Sequence, residues 1–218
     1  MRAPPACRAS PAGSVLQRSD LDREGDRPGE LAAPFERGVE TDVRVLRERA
    51  RQEIDKGPIT PSYGADVDRV IKVLNEALAT EIVCVLRYTQ HHYEAKGINA
   101  EPVAAEFLEH AREEQDHADR LAARITQLGG SPDFNPDTLT GRAHSEYRTA
   151  ADLIEMIKEN LVAERVAITS YTEIIKWLGD GDVTTRRLFE DILTVEEEHA
   201  DDMLNYLETM GPSRNAAR

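Results

Sequence analysis

Two tetrapeptides, Glu114-Gln115-Asp116-His117 and Glu196-Glu197-Glu198-His199, each place a carboxylate and an imidazole three residues apart within a helix-forming segment, and Ala-Asp follows both. Residues three apart on a helix share a face, so each pair aims its two groups in one direction. The repeat narrows the folds open to the chain. Two helices must carry the pairs, and a metal site built from them would need further ligands from two other helices.

Apolar periodicity supplies four long helices. The first starts near Asp66 and ends near Lys96-Gly97, with the stripe Val67, Ile71, Leu74, Leu78, Glu81, Val85 and Tyr88. The second runs from about Glu101, where Pro102 suits a first turn, to Gly129-Gly130, with Phe107, Ala111, Glu114, Ala118, Leu121, Ile125 and Leu128. The third spans about Thr149 to Leu178, with Leu153, Ile157, Leu161, Glu164, Ile168, Tyr171, Ile175 and Leu178 inward. The fourth starts near Asp182 and carries Phe189, Ile192, Glu196, His199, Met203, Tyr206 and Met210. Every stripe thus has a glutamate where an apolar residue belongs.

Short connections near 97–100 and 179–182 make two antiparallel hairpins, and residues 130–148 are long enough to cross the length of the bundle between them. The fold class expected is all-α: a four-helix bundle over residues 66–210, preceded by a short helix and linker over 41–65. Residues 1–40, rich in proline and small residues, are expected to be disordered, as is a tail over 211–218. From Glu81 to Glu114 is 33 residues and from Glu164 to Glu196 is 32, as though one hairpin had been used twice. At about 1.5 Å per residue these spacings bring all four glutamates and both histidines to one level.

Four carboxylates in an apolar core repel one another and lose hydration, so without cations several would have to be protonated. A pair of metal ions removes the conflict. Glu81, Glu114, His117, Glu164, Glu196 and His199 are therefore the candidate ligands, an oxygen-rich set suited to iron or manganese.

Composition excludes other classes. No apolar run approaches the roughly 20 residues of a membrane span, and the opening residues lack the apolar stretch of a secretory signal. The two cysteines, Cys7 and Cys84, fit a reducing, cytoplasmic setting. The net charge of −14 lies wholly beyond residue 56, because residues 1–56 hold 11 basic and 11 acidic side chains. Nucleic acid is therefore not an expected partner, while cations would be attracted.

The ordered set Glu81, Glu114-x-x-His117, Glu164, Glu196-x-x-His199 resembles the di-iron ferritin-like superfamily. The wording LNEALATEIVCVLRYTQHHYEAKG, FLEHAREEQDHADR and LFEDILTVEEEHADDML is most similar to bacterioferritin and Dps-like mini-ferritins. The resemblance implies a ferroxidase that oxidises Fe(II) with oxygen or peroxide at two iron ions per subunit and stores the ferric product in a homo-oligomeric cage. It also implies one terminal and one bridging carboxylate per half, divided between the lone glutamates and those of the Glu-x-x-His pairs. Gln115 stands where bacterioferritins place a haem-ligating methionine, so no haem is expected. The few residues after Met210 leave no room for the fifth helix of 24-subunit ferritins, which favours a dodecamer. Ala167 replaces the extra glutamate of rubrerythrins. A non-storing di-iron oxidase, a dimanganese catalase and a non-redox acidic bundle remain as alternatives.

Tyr88 and Tyr171 each follow a lone glutamate by seven residues. They are candidates to bond ligand carboxylates or to supply an electron, Tyr88 being the one singled out as catalytic, against a plain role in the core. Asn160 is a candidate partner for a ligand histidine. Glu109, His110 and Glu113 are expected on a wet helix face, with an iron entry path as the alternative. Cys84 is expected to be a buried, inert thiol, Trp177 a packing residue, and His91, His92 and His144 have no partner by spacing.

Overall fold

The computed structural model describes residues 42–210, and the expected disorder over 1–40 and 211–218 falls outside them. Among the described residues the secondary structure is entirely helical. A helix α1 (Val43–Gln52) buries no side chain, and a single 3-10 turn (Ile54–Lys56) follows it. The four long helices are α2 (Val67–Glu94), α3 (Ala100–Gln127), α5 (Leu153–Leu178) and α6 (Val183–Met210), with a short α4 (Pro136–Arg142) between the hairpins. α2 packs on α3 and α5 on α6, and the hairpins meet through α3 with α6 and α2 with α5.

Local chemistry sets the helix limits. Asp66 caps α2 by accepting from Arg69 N at 3.2 Å, and Asp152 caps α5 by accepting from Glu155 N at 3.0 Å. Each satisfies one of the donors a first turn leaves free. α5 accordingly begins at Leu153 rather than at the expected Thr149. α5 ends on Gly179, whose φ of +48 a side chain would disfavour.

The crossover holds a helix that the sequence analysis does not foresee. Asn135 caps it by accepting from Asp137 N at 3.0 Å, and Pro136 occupies its first turn. Leu139 is its one buried residue, packed with Ala79 and Val83 of α2. The whole crossover lies along α2. At its start, a Cβ on Gly130 would come within 2.8 Å of the Ile71 side chain, so any larger residue would push Ile71 aside. Asn75 then accepts from Asp133 N at 2.7 Å, Thr80 Oγ1 accepts from His144 N at 2.9 Å, and Arg87 donates to the Glu146 carbonyl at 3.0 Å.

Two apolar clusters fill the bundle, one above the other. Leu74, Leu78, Leu121, Ile125, Tyr171, Leu178, Phe189 and Ile192 belong to one, and Cys84, Tyr88, Val103, Phe107, Met156, Ile157 and Met203 to the other. On each of the four helices the seam glutamate falls between its contributions to the two clusters. The buried face of α5 is turned slightly from the expected stripe: Met156, Asn160, Ala163, Ala167 and Ile174 are buried, while Leu161, Ile168 and Ile175 are half-buried.

A polar knot closes the α3–α6 end. Buried Asp182 accepts from Arg124 at 2.9 and 3.0 Å, from Tyr63 at 2.7 Å, and from both the backbone and the hydroxyl of Thr185. Burial works to raise its pKa, but the bonds from Thr185, Tyr63 and Arg124 outweigh it and hold the carboxyl below its usual range. Asp182→Ala removes the cap of α6 and strands a buried guanidinium, a change that costs about 3–5 kcal/mol. A lowered urea midpoint with unchanged slope is the expected result.

Candidate metal centre

The level between the two clusters is occupied by six polar side chains from four helices. Glu81 (α2), Glu114 and His117 (α3), Glu164 (α5), Glu196 and His199 (α6) are each at most 2% exposed. They form two overlapping groups: Glu81, Glu114, His117 and Glu196, and Glu114, Glu164, Glu196 and His199, the ligand atoms of each group lying within 4.8 Å of one another. Glu114 and Glu196 belong to both groups, whereas each lone glutamate and each histidine belongs to one. His117 Nδ1 lies 3.0 Å from Glu196 Oε1 and 3.5 Å from Glu81 and Glu114, and His199 Nδ1 is 3.7 Å from Glu114.

Hydrogen bonding leaves this layer unsatisfied toward its centre. Both oxygens of Glu114, Oε2 of Glu164, Oε1 of Glu196 and Nδ1 of both histidines are buried with no hydrogen-bond partner. A buried polar atom without a partner costs about 1–3 kcal/mol, so six in one layer mark a place built for something that accepts their lone pairs. A divalent cation pair fits that donor set in charge and in ligand type.

The outer contacts are paired. Tyr88 donates to Glu164 and Tyr171 donates to Glu81, so each hairpin's tyrosine holds the lone glutamate of the other hairpin. His199 Nε2 bonds Glu113 Oε2 at 2.8 Å, which fixes the ring with Nδ1 facing inward. Burial and the charge of Glu114 push Glu81 and Glu196 well above the usual carboxylate range, and Glu164 is raised by the same two causes. Burial would also raise Glu114, but the closeness of Glu81, His117 and His199 outweighs it and holds the carboxyl well below its usual range. Burial opposes protonation of the histidines, yet Glu114 and Glu81 lift His117 to about 10, and Glu114 with Glu164 and Glu113 lifts His199 to about 9.

The family of ferritin-like domains matches residues 71–211, a span that holds all six side chains. The chain belongs to the ferritin-like family. Among its relatives, a bacterioferritin from Desulfovibrio desulfuricans is 33% identical over 147 residues, 66% of this chain and 74% of that protein. A DNA protection during starvation protein from Pyrococcus furiosus is also 33% identical, over 62% of this chain and 75% of its own length. Of solved structures, a dodecameric thioferritin from Bacteroides fragilis superposes with a TM-score of 0.65 at 35% identity, covering 67% of this chain and 88% of that one.

Other residues singled out from the sequence of this ferritin-like chain fall as follows. Asn160 is buried, but its Oδ1 accepts from Arg87 Nε at 2.9 Å rather than serving a ligand histidine. His110 is not on a wet face: it is 2% exposed and stacks on His199 with ring centroids 3.9 Å apart. Burial first, then the charge of His199, lowers it to about 3. Glu113 is half-buried against His199, while Glu109 is exposed as expected. Gln115 is exposed and bonds Asp119 at 2.9 Å. Cys84 is a buried free thiol, pushed up by burial and approached by Arg87 at 3.7 Å. Trp177 is 39% exposed, with Arg69 over its ring. His91 is buried with neither ring nitrogen bonded. Arg87, 1% exposed, is the largest buried residue that the sequence analysis does not name; on a helical wheel it simply follows the seam.

Tyr171→Phe and Tyr88→Phe each release one lone glutamate from its holding bond. Groups that orient ligands are worth about 10–100-fold in metal affinity, and a loss of that size in Zn(II) competition titrations is expected for either variant, with helicity unchanged.

Proposed function

We propose that this ferritin-like chain is a ferroxidase of the bacterioferritin and Dps-like type, which oxidises Fe(II) at an intra-bundle pair of sites and stores the ferric product in a homo-oligomeric cage. The observation that carries the proposal is the layer of six buried, unpartnered donor atoms facing one another. In this reading Glu81 and His117 would hold one ion, Glu164 and His199 the other, and Glu114 and Glu196, which belong to both groups, would serve the two in common. Four carboxylates offset the charge of two divalent ions, so the loaded centre is neutral in its apolar surroundings. Fe(II) is the substrate and gives its electrons to oxygen or peroxide.

The chain's own side chains prepare that chemistry. Loading displaces the protons that His117 and His199 hold below their raised pKa values of about 10 and about 9, so binding releases protons. Tyr88 and Tyr171 keep the lone glutamates aimed inward, and in this reading Tyr88 would also supply an electron to the oxygen or peroxide being reduced. The clusters on either side exclude water from the layer. Support comes from the Desulfovibrio desulfuricans bacterioferritin, whose solved structure contains a diiron site and superposes with a TM-score of 0.59 at 28% identity. The dodecameric state of the Bacteroides fragilis relative supports a dodecamer here. Gln115 offers no thioether to a haem iron.

Anaerobic addition of two Fe(II) per chain, followed by air or peroxide, tests the activity through ferric absorbance. Oxidation faster than in buffer is expected, and equal rates would overturn the assignment. Native mass tests storage: a monomer or dimer cannot enclose a mineral and would leave a non-storing oxidase.

A further inference from the structure

Outside the six-residue layer, between α3 and α6, a second group of donors converges. His110 Nε2 faces Glu106 Oε1 at 3.5 Å and Asp202 Oδ2 at 3.6 Å, and ligand atoms of the three lie within 4.8 Å of one another. His110 is 2% exposed, while the Glu106 and Asp202 side chains are 28% and 45% exposed, so the group opens to the surface on its carboxylate side.

The hydrogen bonds leave His110 Nε2 as a bare acceptor aimed at two other acceptors. Its Nδ1 lies 3.2 Å from the Tyr88 hydroxyl. That hydroxyl donates to Glu164; here the argument rests on the proposed centre, because a metal-ligating Glu164 is ionised and can only accept. The Tyr88 oxygen is then left to accept from His110, so Nδ1 carries the imidazole hydrogen and Nε2 a lone pair. No hydrogen bond joins Nε2 to either carboxylate. Glu106 is held in this arrangement through its other oxygen, which accepts from Tyr206 at 3.2 Å. Three lone pairs directed at one point, two of them on anions, repel unless a cation lies between them.

We propose that Glu106, His110 and Asp202 form a separate site for a single divalent transition-metal cation. One imidazole and two carboxylates suit zinc, iron(II) or cobalt(II) and balance the charge of a divalent ion. Donor atoms bound at about 2.1 Å lie roughly 3.0–4.2 Å from one another, the range in which the His110 distances fall. Because His110 stacks on His199, an ion here sits one imidazole away from the two-ion centre.

Equilibrium dialysis with Co(II), read by metal content and visible absorbance, tests the site in the full-length chain. Asp202→Ala and Glu106→Ala both alter half-exposed side chains outside the six-residue layer. Each is expected to bind one Co(II) fewer per chain than the parent, with the remaining sites unchanged in affinity. Unchanged stoichiometry in both variants would overturn the proposal. So would the loss of more than one ion, since the two residues would then be supporting the centre rather than a site of their own. Glu81→Ala, measured alongside, separates this from the proposed function: if it binds as many ions as the parent while Asp202→Ala loses one, the two-ion centre fails and the outer site stands.

Discussion

Glu114→Ala is expected to bring Fe(II) oxidation down to the rate in buffer while the helical circular dichroism is retained. Glu114 reaches both ligand groups, so its removal would deprive both ions of a ligand, and Glu196→Ala is expected to match it. His199→Ala removes the nitrogen of one ion and its contact to Glu113, and because oxidation draws on both ions it too is expected to abolish turnover. Loss of a preorganised group at a reacting centre commonly lowers rates by about 10²–10³, and here binding is lost as well. Glu81→Ala differs in a measurable way: one ion still finds Glu114, Glu164, Glu196 and His199, so Zn(II) titration retains one of the pair. Parent-like oxidation in Glu114→Ala would refute the ligand assignment.

The second large effect is the dependence of stability on metal and pH. Glu81, Glu164 and Glu196 are raised from 4.5 in the folded, metal-free protein, and His117 and His199 are raised from 6.5 to about 10 and about 9. A group with a raised folded pKa contributes stability that is complete below its unfolded value and is lost as pH climbs through the folded one. All five therefore act in one direction: the metal-free protein loses stability as pH rises from about 4.5 toward 10. Glu114, held below its usual value, acts oppositely and only at the acid end. Metal reverses the slope, because cations compete with those protons and bind better as pH rises. With each of two sites at about a hundredfold excess over its dissociation constant, loading contributes about 5 kcal/mol, or about 10–20 °C in a chain of this size. Thermal melts with and without Zn(II) between pH 5.5 and 8.5 check it. The gap is expected to widen with pH, and a constant gap would mean that no buried protons are displaced.

Much of this arrangement was legible without coordinates. A glutamate inside an apolar seam is conspicuous because burial of an isolated carboxylate is so unfavourable, and fixed rise per residue converts spacing into height. That is why Glu81, Glu114, His117, Glu164, Glu196 and His199 could be named together, and they do meet in one layer. Residues with weak local signals were harder to read. Asn160, Ala163 and Ala167 carry little hydrophobic weight, so apolar periodicity alone turns the buried face of α5 toward Leu161, Ile168 and Ile175. His110 reads as part of a wet helix face because acidic residues flank it, and Arg87 draws no attention because a long charged side chain is rarely buried whole. Their burial depends on the crossover lying along α2 and on α6 covering α3, which no local pattern encodes.

By itself the sequence determined the four helices, their pairing into hairpins and the level at which six polar side chains gather, because helical period and chain length are local quantities. Tertiary structure alone decided which side chains face each other across helices: Tyr88 with Glu164, Tyr171 with Glu81, Glu113 with His199, and His110 with Glu106 and Asp202. Those partners depend on the rotation of each helix about its axis, which is fixed only when the faces of all four pack against one another.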